Sequence, residues 1–224
     1  NPPYIYDWET EVSGIDASSY TTDFQISTLH FELLLQGSTN YVSIRVWDNA
    51  GSSRTLTDAF YVLKDTIPPS IVDNQAGDDT WRNSSGTTYD VDFNDTGGSL
   101  LDYAQYTIWD GLNQTGTQLK AWTDIASNIN SSSYTDDWQI DFTSSQEGYN
   151  YVSVRVYDVA GSSVTLNDVF YVKKDTTTPD IVDNQAGDDT WRNGGGTTYN
   201  VDFEDNLSLL NYAQYTVYSN TGKT

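Results

Sequence analysis

Short runs that alternate apolar with polar side chains recur along the chain, rich in Val, Ile, Tyr, Phe, Trp and Thr and separated by clusters of Gly, Asn, Asp and Ser. That period of two marks antiparallel strands with one dry face. Tyr89, Val91 and Phe93 alternate with Asp90 and Asp92, and Ala104, Tyr106 and Ile108 alternate with Gln105 and Thr107. Trp138, Ile140 and Phe142 form a third dry row. Val152, Val154 and Val156 form a fourth, interleaved with Tyr151, Ser153, Arg155 and Tyr157. Further strands are expected over Ser70 to Val72, Leu119 to Trp122 and Val169 to Val172. No stretch sustains a helical period.

The pattern repeats. Ile71 to Phe93 returns as Ile181 to Phe203 with 20 of 23 positions identical, an offset of 110. Asn40 to Pro69 returns as Asn150 to Pro179 with 21 of 30 identical, at the same offset. Ser18 to Ile26 matches Ser132 to Ile140 at an offset of 114, so the first copy carries four extra residues between Ile26 and Tyr41. Units are expected to join at Lys64 to Pro69 and Lys174 to Pro179, where Pro stiffens the link. Residues 67–176 then form a whole unit, 1–66 the C-terminal part of one, and 177–224 the N-terminal part of another. About seven strands in roughly 110 residues is the size of an immunoglobulin-like sandwich. The expected fold is therefore all-β, with tandem Ig-like β-sandwich repeats incomplete at both termini. A fragment as short as 177–224 buries too little apolar surface to stand alone, so both end segments are expected to need strands from elsewhere.

RVWDNAGSS (Arg45 to Ser53) and RVYDVAGSS (Arg155 to Ser163) are each followed by an FYV strand, a KDT turn and a downstream Pro. These stretches resemble the end of bacterial Ig-like repeats, which occur in tandem in large secreted or surface-displayed proteins. The resemblance implies fold and setting: an extracellular or cell-surface stalk, fibre or adhesin shaft.

Composition narrows the function. Ten Lys and Arg face 32 Asp and Glu, for a net charge of −22, so a phosphate backbone is repelled and nucleic acid is excluded. No run approaches the length of a membrane span. Asn1-Pro2-Pro3 shows neither initiator Met nor signal pattern and reads as the start of a processed piece. There is no Cys, so Trp and Tyr must fill the space that a disulfide occupies in antibody domains. The single His, His30, lies in the inserted region and has no counterpart in the second copy. No nucleophile elbow, phosphate loop or dinucleotide fingerprint occurs, and an enzyme is not expected.

Calcium is the cofactor that the acids suggest, because a hard cation takes six to eight oxygens. Asp48, Asp65, Asp73, Asp78 and Asp79 are expected at one junction, and Asp158, Asp175, Asp183, Asp188 and Asp189 at the next. Asp78-Asp79 and Asp188-Asp189 read as solvated acids in a Gly-rich turn. Trp81-Arg82 and Trp191-Arg192 form the alternative, a glycan-binding face of an adhesin or carbohydrate-binding module, set against Trp and Tyr as core and unit-contact residues. Arg45 and Arg155, on wet rows, are expected to meet cross-strand carboxylates. Glycosylation sequons stand at Asn83, Asn94, Asn113, Asn130 and Asn206. The expected partner is another copy of the chain, head to tail: either the chain is a window on a longer array, or its 177–224 strands complete the 1–66 unit of a neighbour.

Overall fold

A computed structural model describes residues 5–75 and 77–219; the outermost residues of the expected 1–66 and 177–224 units lie outside that range. The fold is all-β. In chain order it comprises α1 (Thr28–Leu33), β1 (Ser38–Trp47), β2 (Ser53–Lys64), β3 (Ser70–Asp73), β4 (Asp78–Arg82), β5 (Val91–Asn94), β6 (Leu101–Gly111) and β7 (Thr115–Ser131). The remainder is β8 (Ser133–Tyr134), β9 (Gly148–Asp158), β10 (Ser163–Lys174), β11 (Asp180–Asp183) and β12 (Val201–Glu204), with short 3-10 turns at Leu112–Gln114 and Phe142–Ser144.

Residues 67–176 form two sheets around one core. The larger is ordered β4-β10-β9-β6-β7 and the smaller β3-β5-β8. All neighbours are antiparallel except β4, which runs parallel to β10. The predicted dry rows are the core: Tyr89, Val91 and Phe93 face Ala104, Tyr106, Ile108, Val152, Val154 and Val156. Aromatics occupy its centre. Tyr89 stacks on Phe170 with centroids 4.2 Å apart, and Trp138 lies 5.7 Å from Phe170 and 5.3 Å from Tyr106. Burial and the Asp78 carboxylate raise the Tyr89 phenol, so it donates its hydrogen to Asp78 Oδ2 at 3.3 Å.

Three local expectations are corrected. The Trp138–Phe142 row is no strand: it makes one bridge, Tyr89 to Trp138, and then turns, because Asp141 caps the 3-10 turn and donates its N–H to the Tyr106 hydroxyl. Asp78 and Asp79 lie in strand β4 and not in a turn, since pairing with β10 overrides the poor strand preference of acids. Four inserted residues in the first copy extend a 3-10 turn into α1, capped by Ser27 at the repeat position of Asp141.

The end segments hold two-stranded sheets, β1-β2 and β11-β12. Their registers follow those of β9-β10 and β3-β5: Trp47 pairs with Ser53 as Tyr157 does with Ser163, and Ile181 with Phe203 as Ile71 does with Phe93. A buried Asn braces each long hairpin. Asn150 bonds Gln146, Gly148 and Val172, and Asn40 bonds Leu35, Ser38 and Val62 in the same manner.

Candidate functional site

Two features stand apart from ordinary packing, and the first is a pair of open sheet faces. Val46 occupies the repeat position of Val156; it is 58% exposed where Val156 is fully buried. In the third copy, Leu209 to Val217 matches Leu100 to Ile108 at seven of nine positions, at an offset of 109. Val217 is 83% exposed where its counterpart Ile108 is fully buried. Tyr199, Val201, Phe203, Leu210 and Tyr215 are exposed in the same way against buried Tyr89, Val91, Phe93, Leu101 and Tyr106.

The first open face has a defined gap. In the middle unit β6 lies between β9 and β7, and the Arg155 guanidinium reaches 4.3 Å from the Trp122 ring while bonding Gln105 on the way. Arg45 lies 4.2 Å from the Trp8 ring, and Trp8 is the repeat counterpart of Trp122. Asn49 also holds Asp16 at 3.1 Å. Residues 5–17 thus keep the station of β7 beside β1, and among the described residues no strand fills the place of β6 between them. The arginines therefore meet tryptophan faces and not the expected carboxylates; the carboxylate is one link further on, where Asp124 accepts from Gln105.

The second feature is the junction between residues 5–66 and the middle unit. Asp65, Asp95 and Asp158 bring one carboxylate oxygen each within 4.8 Å of one another. Asp65 follows β2, Asp95 follows β5 and Asp158 ends β9. Backbone N–H groups aim all three: Ile67 and Ser99 donate to Asp65, Gly97 and Leu100 to Asp95, and Ser162 to Asp158. Gly97 is needed for the approach, because a Cβ there would lie 2.0 Å from Asp65 Oδ1. Burial raises the Asp158 carboxyl and the Asp65 and Asp95 charges add to it, against the Ser162 and Gly161 hydrogen bonds. Burial also pushes Asp65 up, but hydrogen bonds from Ser99, Ile67 and Gln36 outweigh it and hold Asp65 below its ordinary value.

The expected calcium ligands separate. Asp158 belongs with Asp65 at the first junction and not with Asp175 at the second; Asp95 was missed. Asp48 is exposed and caps its own turn through Ala50 and Ser52. Asp78 pairs with Arg82 at 2.9 Å, and Asp188 with Arg192 at 3.2 Å. Asp79 is held by Tyr171 and Lys173. Asp73 and Asp183 each accept from the N–H two residues on, Asp175 accepts from Thr177 and Ser208, and Asp189 is exposed.

Trp81 lies edge-on to Tyr149 at 6.1 Å with Lys173 over its ring, and Asp78 occupies Arg82. Trp191 is fully exposed, and Arg192 is occupied by Asp188. Among the sequons, Asn83, Asn113, Asn130 and Asn206 are exposed, whereas Asn94 is half-buried in β5. No helix among the described residues is long and apolar enough to cross a membrane. No protein-family model matches the chain, and no curated protein matches it.

Proposed function

We propose that the protein is a structural element of an extracellular or cell-surface fibre, built of Ig-like units in series that share strands. In this reading, segment 177–219 of one unit run inserts into the open half-sandwich of residues 5–64 of the next, with residues 210–217 taking the place of β6. The observation that carries it is the repeat itself: apolar side chains fully buried in the middle unit are half-buried or exposed at their counterparts in both end segments, and each end segment supplies what the other lacks. Residues 5–64 hold counterparts of β7 to β10; residues 177–219 hold counterparts of β3 to β6.

Physical chemistry favours the pairing. A strand inserted between residues 5–17 and β1 satisfies two sheet edges at once and covers apolar area worth about 25 cal/mol per Å². Such a contact is heterologous and does not close on itself, so it propagates. In one long polypeptide the same completion would come from the residues that follow along the chain; between separate subunits it comes from the next copy. Trp191 would then meet Thr39 and Leu63 of the received hairpin, which hold the repeat positions of the Tyr149 and Lys173 that pack on Trp81. The glycan-binding alternative loses its arginines to Asp78 and Asp188.

Sedimentation of the purified 224-residue chain tests the reading. Species far heavier than 25.0 kDa, growing with concentration, are expected; a single species of one-chain mass across the range would count against it.

A further inference from the structure

We propose that Asp65, Asp95 and Asp158 form a calcium site that locks the joint between successive units. Three carboxylates converge from three separate segments, and their ligand oxygens span at most 4.8 Å. Oxygens within that span can share one hard cation, and calcium, with flexible oxygen cages at bonds of about 2.4 Å, suits carboxylates brought from three segments. Asp95 and Asp158 are buried, Asp158 to 2% exposure. Among the described residues Asp158 Oδ2 has no hydrogen-bond partner, although Oδ1 of the same group is held by Ser162 N–H at 2.8 Å. Among the described residues no Lys, Arg or His forms a salt bridge with any of the three. A buried carboxylate oxygen beside two like charges is strongly unfavourable unless a cation answers it. The chain's large negative charge adds a general reason to recruit one.

The second joint carries two-thirds of the same constellation. Ser208 N–H donates to Asp175 Oδ2 at 3.1 Å, as Ser99 N–H donates to Asp65 Oδ2 at 2.8 Å. Asp205 takes the place of Asp95 and accepts from Leu207 and Leu209. The counterpart of Asp158 is Asp48, whose turn is closed by Ser52 N–H at 2.8 Å just as Ser162 closes that of Asp158. If the strand-sharing reading holds, on which this second step rests, Asp48 of one copy completes the Asp175 and Asp205 pair of another. Calcium then binds within each chain and again at each joint between chains.

Calorimetric titration of CaCl2 into the metal-free full chain, with thermal unfolding followed in parallel, tests this. Wild type should bind calcium and melt at a higher temperature with it. Asp158→Asn, which keeps shape and removes the bare charge, should fold in EDTA at least as stably as wild type and bind at the first joint at least about tenfold more weakly. Asp48→Asn should spare that site and remove only the binding event that appears with assembly. No heat and no thermal shift in wild type, or an unchanged isotherm for Asp158→Asn, would overturn the site. Calcium binding by a chain that never assembles leaves the site standing and removes strand sharing; assembly indifferent to calcium and EDTA with a flat isotherm does the reverse.

Discussion

Val217→Asp abolishes end-to-end assembly while the unfolding transition of residues 67–176 stays in place. Val217 is exposed in the free chain, so the substitution costs the unassembled protein little. In the assembled fibre it would stand where Ile108 stands, fully buried among Val152, Val154 and Val156. There an unpaired carboxylate costs several kcal/mol, which is comparable with the whole gain expected from docking one strand. Gln214→Asp is the matched control, because Gln105, its counterpart, points away from the core and bonds Arg155. Sedimentation should give one-chain mass for the first variant and heavy species for the second. Heavy species from Val217→Asp would place that strand outside the joint.

Val154→Asp has the largest expected effect on folding. Val154 is fully buried on the central strand β9, flanked by β10 and β6. The variant loses about 1.5–3 kcal/mol of apolar burial and gains a buried charge with no basic partner in the surrounding cluster. Set against a domain stability of about 5–15 kcal/mol, that sum should leave residues 67–176 unfolded or molten at room temperature. Ile44 is the repeat counterpart on the open hairpin and is partly exposed, so Ile44→Asp should leave the middle unit's circular dichroism and melting curve intact and impair assembly alone. Equal loss of the middle-unit transition in both variants would contradict the separate character of the units.

The dry rows were legible because burial of one sheet face leaves a period of two that does not depend on partners. Tyr89, Val91 and Phe93, and likewise Val152, Val154 and Val156, are core residues as their spacing predicts. The β4 strand was not legible, since Asp78, Asp79 and Arg82 carry no alternation and only the β10 edge and the Asp78–Arg82 pair hold them extended. Nor was the junction. Asp65, Asp95 and Asp158 are far apart in sequence and meet through the topology, and Val159 N–H on Leu100 O at 2.9 Å is the bond that brings the β9 turn to the Asp95 loop. The repeat places Asp48 and Asp158 at successive joints but does not say at which end of its unit each turn lies, and only that fold-back sets Asp158 at the joint that opens its own unit.

A cysteine cross-link at a single residue pair probes the shared sheet most directly, and the chain's lack of native Cys keeps the readout clean. Ala104 pairs with Val156 across β6 and β9, and their counterparts at the joint are Ala213 and Val46. Under mild oxidation the double variant Val46→Cys, Ala213→Cys should run as a reducible ladder of chain multiples, while Val46→Cys, Gln214→Cys, one residue out of register, should not. Single chains alone, or equal ladders from both pairs, would mean that neighbouring units do not complete each other's sheets.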